Sequence, residues 1–377
     1  MRLSTDPPAR RRLALLTAAA AAALVAGIVL GARGGADEER APARARASRT
    51  ALDAVDRLTL RQQVGQLTIS TFPDRRVPAY IRRRLAARET AGVILFARNA
   101  ETPGDWRRLT GSLQRAAGGT ALVMVDQEGG DVRTVAWAGP EAPQAAQGGP
   151  ASVRSAAAAA ARRLRGVGVN VDLAPVADVP AGAAPAIGSR AFAGAAREVA
   201  ASTRASVAGL RSGRVAATAK HFPGLGRAAG NTDDASVVVD GSLGVDLVPF
   251  RAAVAAGVPL VMLSHALYPA IDPERIASQS PRVATGLLRR RLGFDGVVVT
   301  DSIEAQAVLD RGGVAQAAER SIAAGADLIL TTGSATWNQV QPRLLARARR
   351  SSAFRLRVRR SAARVLALKD RLGLRIR

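Results

Sequence analysis

The chain has 377 residues, of which 48% are apolar and 3% aromatic, and its formal net charge is +24 at pH 7. This length allows one large domain or two ordinary ones, and the apolar content excludes bulk disorder. The lack of cysteine excludes disulfides, zinc–thiolate sites and a thiol nucleophile, and leaves the redox compartment open. The low aromatic content and the lack of a recognisable binding motif argue against nucleic acid as a partner.

The N-terminal region predicts export. Residues 13–32 form an uncharged run of 20 residues, which as a helix spans roughly 30 Å, the thickness of a bilayer's hydrocarbon core. Three arginines at 10–12 directly precede this run and three acidic residues follow it at 37–39, which predicts a cytoplasmic N-terminus. We therefore predict a membrane anchor at 1–32, a polar linker at 33–50 and an extracytoplasmic remainder at the cell membrane. Secretion after cleavage of a signal peptide is the alternative.

Eight apolar, strand-like runs follow the linker. They are residues 66–70, 91–96, 121–125, 169–175, 215–219, 260–263, 296–300 and 326–331. The segments between them, such as 151–165, 195–210 and 314–324, are rich in Ala, Leu and Arg and favour helix. Eight such βα units predict an α/β fold, a TIM (β/α)8 barrel that forms a single catalytic domain over residues 51–377. A doubly wound sheet is the alternative, but no glycine-rich dinucleotide fingerprint follows the first strand.

Polar residues collect where the apolar runs end. Asp126 to Gly130 follow the third run, Asp178 the fourth, Lys220 and His221 the fifth, Ser264 and His265 the sixth, and Thr300 to Ser302 the seventh. Because chemistry in this fold lies at the C-terminal ends of the strands, these clusters predict one shared site. Lys220 is one of only two lysines among 54 basic residues. Because a compact ammonium fits confined positions that a planar guanidinium does not, a lysine in a chain that otherwise uses arginine indicates a functional site rather than a surface charge.

Eight sequence motifs resemble the catalytic domain of glycoside hydrolase family 3. In order they are LFARN (95–99), DQEGG (126–130), GVNVDLAPVADV (168–179), IGSRAF (187–192), KHFPG (220–224), SHALYPAID (264–272), GVVVTDSIEAQAV (296–308) and AGADLIL (324–330). The resemblance covers about residues 55–375 and is nearest to the single-domain β-N-acetylglucosaminidases of the NagZ type. It implies a TIM barrel, retaining hydrolysis of terminal β-linked N-acetylglucosamine from cell-wall-type glycans, and no metal or organic cofactor.

The resemblance also implies roles for individual residues. Asp301 corresponds to the nucleophile of the family, a role that suits a carboxylate at a strand end. Asp126, Arg190, Lys220 and His221 correspond to residues that bind sugar hydroxyls, and carboxylate, cation and imidazole groups suit that task. Gly129 and Gly130 are interpreted as a backbone turn.

The general acid/base departs from the family pattern. NagZ-type enzymes use a histidine in an Asp-Ser-His segment after KHFPG, whereas the corresponding residues here are Asp233, Asp234 and Ala235. The family's second histidine has become Leu225. We predict that Asp233 or Asp234 replaces the acid, because repulsion between neighbouring carboxylates and desolvation both raise a carboxyl pKa. A catalytically weak or inactive barrel that binds wall glycans is the alternative, and a β-glucosidase of the same family is a third, less favoured interpretation.

The C-terminal segment is strongly basic. Residues 341–377 contain thirteen basic residues and a single acid, Asp370. Val358, Ala362, Val365 and Leu366 are spaced to form one apolar helix face, and the arginines are expected on the other. A solvated basic face on a docked helix is one interpretation, and contact with anionic wall polymers or lipid head groups is the second.

Overall fold

The structure is a computed structural model that describes residues 50–181 and 186–376. Ala51–Arg377 forms one compact unit. The predicted anchor at 1–32, and the predicted linker up to residue 49, lie outside the described residues. Within the two described ranges, no helix combines the length and the apolar character needed to cross a bilayer.

The described strands are numbered in chain order. They are β1 Thr68–Ser70, β2 Gly92–Ile94, β3 Leu122–Val125, β4 Gln127–Gly129, β5 Val132–Arg133, β6 Val171–Asp172, β7 Ala216–Phe222, β8 Leu260–Leu263, β9 Leu267–Tyr268, β10 Asp272–Ile276, β11 Val297–Ser302 and β12 Leu328–Leu330. Eight of them close into a parallel barrel in the order β1-β12-β11-β8-β7-β6-β3-β2. The predicted (β/α)8 barrel is therefore confirmed, and each of the eight predicted strands overlaps one barrel strand.

Helices alternate with the barrel strands. They are α1 Leu60–Gly65, α2 Ala79–Ala86, α3 Pro103–Ala116, α4 Pro150–Gly166, α5 Ala196–Ser212, α6 Leu247–Ala255, α7 Arg282–Arg291 (with π-type bonding), α8 Gln306–Leu309, α9 Val314–Ala324, α10 Trp337–Arg350 and α11 Ser352–Arg371. The alanine-rich segments predicted as helices correspond to α4, α5 and α9. Side chains such as Ile94, Met124 and Val299 lie in one apolar cluster, and Val93, Val123 and Val298 lie in another. This alternation places successive strand residues on opposite faces of the barrel wall.

Helix α11 covers the end of the barrel at which the strands begin. Val365 and Leu368 share an apolar cluster with barrel residues such as Leu122 and Leu328. The predicted apolar face is confirmed, since Val358, Ala362, Val365 and Leu366 are all buried. The expectation that the arginines lie on the opposite face is wrong for Arg357 and Arg364.

A buried carboxylate explains this exception. Asp327 precedes β12 and accepts hydrogen bonds from Arg357 Nη2 at 2.9 Å, Arg364 Nη1 at 3.2 Å and Ser361 Oγ at 2.9 Å, and it also pairs with Arg289. Burial alone would raise the pKa of Asp327, but the three guanidinium groups outweigh burial and lower it. Part of the basic C-terminal charge is therefore internal and ties α7 and α11 to the barrel.

The second lysine of the chain is also buried. Lys369, on α11, is 1% exposed, and its ammonium donates to Gln66 Oε1 at 2.7 Å. Burial and the charge of Arg88 lower the pKa of Lys369 to about 7. No carboxylate among the described residues forms an ion pair with Lys369, so this lysine exchanges a proton near neutral pH.

We predict that Lys369 makes stability depend on pH. Between a folded pKa of about 7 and the ordinary value of 10.5, the unfolded chain binds a proton that the folded chain does not. The free energy of unfolding should therefore rise with pH, by about 1.4 kcal/mol per pH unit across this window. Urea unfolding at pH 7 to 10 should show this rise in the wild type and its loss in Lys369→Met. The control Arg350→Lys adds an exposed lysine and should keep the wild-type slope; equal slopes in all three proteins would contradict the assignment.

Candidate active site

A cleft of about 730 Å³ opens where the barrel strands end. Its walls include six of the seven residues singled out from the sequence, namely Asp126, Arg190, Lys220, His221, Asp233 and Asp301. The seventh, Asp234, is not among the lining residues. The predicted sugar-binding residues and the predicted nucleophile therefore line one cleft. Of the two neighbouring aspartates on the 224–240 loop, Asp233 lines this cleft and Asp234 does not.

Lys220 is the central cation of the cleft. It lies near the end of β7, and its side chain is 3% exposed. Its ammonium contacts Asp126 Oδ1 at 2.6 Å and Glu128 Oε1 at 2.7 Å. Burial alone would lower the pKa of Lys220, but the two carboxylates outweigh burial and raise it. Lys220 is therefore charged, and it joins the end of β7 to the segment that follows β3.

Arg190 completes this network from a one-turn helix at Gly188–Arg190. It donates to Glu128 from Nε at 2.9 Å and from Nη2 at 2.7 Å, the bidentate geometry that guanidinium and carboxylate groups favour. Glu128 is fully buried, which alone would raise its pKa, but Lys220 and Arg190 lower the pKa to about 2. Glu128 belongs to the cluster that sequence analysis places after the third strand, but it received no role there, because its partners Lys220 and Arg190 lie on other elements far along the chain.

His221 is held by a buried carboxylate. Asp178 accepts from His221 Nδ1 at 2.8 Å and from the backbone N–H groups of His221 and Leu225 at 3.1 and 2.7 Å. Asp178 occupies Nδ1, and His221 lines the cleft, so Nε2 is the ring nitrogen available on the cleft side. His221 Nε2 lies 3.8 Å from Asp301 Oδ2. The imidazole is thus fixed in orientation beside the predicted nucleophile.

Asp301 lies at the end of β11, and its side chain is 21% exposed. Oδ1 accepts from the N–H of Ser302 at 2.8 Å, whereas Oδ2 accepts no hydrogen bond from the described residues. Burial alone would raise the pKa of Asp301, but His221, His265 and Lys220 outweigh burial and lower it. Asp301 therefore presents an ionised carboxylate with one oxygen available to a ligand.

Asp233 lies on the 224–240 loop, which contacts the start of α8. The backbone carbonyls of Thr232 and Asp233 accept from the N–H groups of Ala307 and Gln306, each at 3.1 Å. Desolvation at the cleft wall and the charge of Asp301 raise the pKa of Asp233, against the effects of His221 and His265. The side chain remains accessible to water, which moderates the shift. Asp233 thus lines the cleft as a carboxyl group that gains a proton more readily than Asp301.

Two further features shape the cleft. His265 Nε2 donates to the backbone carbonyl of Ser302 at 2.9 Å, beside Asp301, and burial lowers the pKa of His265, which favours a neutral ring. Gly129 and Gly130 have φ values of +109° and +59°, which confirms the predicted turn. A Cβ on Gly129 would lie 2.4 Å from the carbonyl oxygen of Ala142, so a side chain there cannot fit. No three His, Cys, Asp or Glu residues of the described part of the chain are arranged to hold a metal ion.

Comparisons with known proteins agree on the family. Residues 59–368 match the model of the glycosyl hydrolase family 3 N terminal domain. A beta-hexosaminidase of Xanthomonas oryzae pv. oryzae (strain KACC10331 / KXO85) is 38% identical over 254 residues, which are 64% of this chain and 75% of that protein.

Solved structures give the same result. A family 3 beta-N-acetylglucosaminidase from Paenibacillus sp. str. FPU-7 has a TM-score of 0.79 and 36% identity, covering 84% of this chain and 63% of that chain. A beta-N-acetylhexosaminidase from Beutenbergia cavernae DSM 12333 has a TM-score of 0.76 and 33% identity, covering 83% and 99%. The chain therefore spans less than two thirds of the Paenibacillus protein and nearly all of the Beutenbergia protein. The predicted family is confirmed: this chain belongs to glycosyl hydrolase family 3.

Proposed function

We propose that this protein is a retaining β-N-acetylhexosaminidase that removes terminal β-linked N-acetylglucosamine from cell-wall-type glycans. The observation that carries the proposal is the pair of carboxyl groups, Asp301 and Asp233, that line one cleft and whose pKa values are shifted in opposite directions. Two carboxyl groups with separated pKa values are the usual acid and nucleophile of a glycosidase. The choice of N-acetylhexosamine as the sugar rests on the names of the similar proteins.

The reaction would proceed in two displacements. Asp301 Oδ2 attacks C1 of the sugar while Asp233 donates its proton to the glycosidic oxygen, so that the C1–O bond breaks and a covalent glycosyl–Asp301 ester forms. Asp233, now ionised, accepts a proton from water, which attacks C1 and releases Asp301. Asp126, Arg190, Lys220 and His221 offer the acceptors and donors that sugar hydroxyls require. We also propose that the protein works outside the cytoplasm, as the N-terminal sequence predicts. An enzyme in that location would have access to the glycans of the cell wall.

The nucleophile is tested by chemical rescue. Asp301→Ala should reduce turnover of 2,4-dinitrophenyl β-N-acetylglucosaminide by about 10⁴-fold or more. Sodium azide should restore turnover and yield the α-glycosyl azide, because azide enters from the face that the carboxylate has vacated. Asp53→Asn, an exposed carboxylate outside the cleft, serves as the control and should keep wild-type activity. A β-azide product, or full activity of Asp301→Ala, would remove Asp301 from the nucleophile role.

The acid is tested by comparing two leaving groups. Asp233→Asn should reduce kcat/KM for methyl β-N-acetylglucosaminide by about 10²- to 10⁴-fold, because methanol leaves only with a proton. For the dinitrophenyl glycoside, whose leaving group needs no proton, the same variant should keep a nearly normal kcat/KM, while kcat falls because the second displacement lacks its base. The neighbouring variant Asp234→Asn provides the matched control and should differ from Asp233→Asn by more than tenfold on the methyl glycoside. Equal, small effects would exclude both aspartates, and a wild type that cleaves neither substrate would favour the glycan-binding barrel.

The pH dependence of kcat/KM follows from the two pKa shifts. Asp301 works ionised and its pKa is lowered, so activity should be lost only as pH falls through that lowered value. Asp233 works protonated and its pKa is raised, so activity on the methyl glycoside should fall as pH rises through that raised value. With the dinitrophenyl glycoside, Asp233→Asn should lack the alkaline limb and keep the acid limb. An alkaline limb that persists unchanged would show that another group is the acid.

A further inference from the structure

An ion pair joins the start of the 224–240 loop to the residue directly before α6. Arg227 Nη2 donates to Asp246 Oδ2 and to the backbone carbonyl of Ser242, each at 2.9 Å. The side chain of Asp246 is 1% exposed and that of Arg227 is 27% exposed. Because removal of either partner would leave a charge buried without its counterpart, the pair holds the two chain segments together. We call the contact of Arg227 with Ser242 and Asp246 the clasp.

The clasp lies against the residues that begin the loop. A Cβ on Gly224 would lie 2.6 Å from the Cβ of Asp246, so the backbone of Gly224 packs directly on that side chain. The carbonyl of Gly224 also accepts a hydrogen bond from Tyr268 Oη at 2.9 Å. The loop is therefore fixed from two sides immediately after β7, the strand that carries Lys220 and His221.

The segment between the two clasped ends contains the proposed acid. Its apolar residues are buried in the main cluster of the protein, namely Ala228, Val237, Val239 and Leu243. Its tip, residues 229–236, is polar, and Thr232 is the one buried residue there. Such a tip has little packing of its own, so its position depends on the bonds that close the loop around it. Asp233 lies in this tip.

We propose that the clasp positions the acid: by closing the segment between residues 227 and 246, Arg227 and Asp246 fix the place of Asp233 beside the glycosidic oxygen. This inference rests on the proposed role of Asp233. Neither Arg227 nor Asp246 lines the cleft, so both act through Asp233 and not by contact with the substrate. A shift of about 1 Å in a catalytic group can cost about 10²-fold in rate, so a clasp outside the cleft can control the reaction.

The test compares the two leaving groups in variants of the clasp. Arg227→Gln and Asp246→Asn should each lower kcat/KM for methyl β-N-acetylglucosaminide by about 10- to 10²-fold, because a displaced acid donates its proton poorly. Each should keep kcat/KM for the dinitrophenyl glycoside within about threefold of the wild-type value, since that leaving group needs no proton. Arg251→Gln, an exposed arginine on α6, controls for the loss of one arginine and should match the wild type on both substrates.

A double variant guards against loss of folding. Arg227→Gln/Asp246→Asn removes both charges and so leaves no charge buried without a partner. It should show the same selective loss on the methyl glycoside, and its kcat/KM for the dinitrophenyl glycoside reports that the cleft is intact.

The Asp233→Asn background shows whether the clasp acts through the acid. With Asp233 replaced there is no acid to position, so adding Arg227→Gln should cause no further loss on the methyl glycoside. Equal losses on both substrates, or a full further loss in this background, would overturn the proposal, because the clasp would then act on the cleft as a whole. A leaving-group effect in Asp233→Asn with none in the clasp variants would overturn the clasp alone. No leaving-group effect in Asp233→Asn would overturn the proposed acid and the role of the clasp with it.

Discussion

The site depends on one buried ammonium that bridges two carboxylates. Lys220 is removed from water on β7, and removing a charge from water is tolerated only when opposite charges and hydrogen bonds replace the lost hydration. Asp126 and Glu128 do so at 2.6 and 2.7 Å, and Arg190 holds the second oxygen of Glu128. These contacts connect three loops of the barrel mouth that lie far apart in sequence. The charges of Lys220 and Arg190 are thereby offset, and Asp301 is left as an ionised carboxylate without a direct ion pair to either cation.

The amino-acid composition of the chain points to the same constraint. The sequence uses arginine for almost every cation, yet both of its lysines are among the most buried residues of the protein, at 2% and 1% exposure. A compact ammonium fits where a planar guanidinium does not. The environments of the two lysines then decide their protonation: two carboxylates keep Lys220 charged, whereas Lys369 has only an amide oxygen and a neighbouring arginine, and its pKa falls to about 7. The rarity of lysine therefore points to a ligand site at Lys220 and to a buried helix contact at Lys369.

Sequence reasoning predicted the barrel well because its signal is local. Each strand is a short apolar run, and the residue after the run necessarily lies at the mouth, which is why Asp126, Lys220, His221 and Asp301 could be placed there from the sequence. Asp233 could not be separated from Asp234 in this way. The two aspartates lie on an irregular loop whose backbone carbonyls accept hydrogen bonds from the N–H groups of Gln306 and Ala307. These donors lie more than 70 residues further along the chain, so the local sequence does not show which aspartate faces the cleft. Arg357 and Arg364 could not be placed either, because their partner Asp327 lies on another element.

The 224–240 loop links the proposed acid to the rest of the fold. Its backbone is held by the first N–H groups of α8, and Ser236 donates to Asp310 in the segment after α8 at 2.7 Å. Helix α8 itself follows directly from the strand that carries Asp301. The nucleophile and the proposed acid are therefore positioned by the same stretch of chain, residues 297–310, so that a displacement of this stretch moves both groups together. A carboxylate and a proton donor that must act on opposite atoms of one bond keep their relative geometry best when one short, well-packed segment sets both positions.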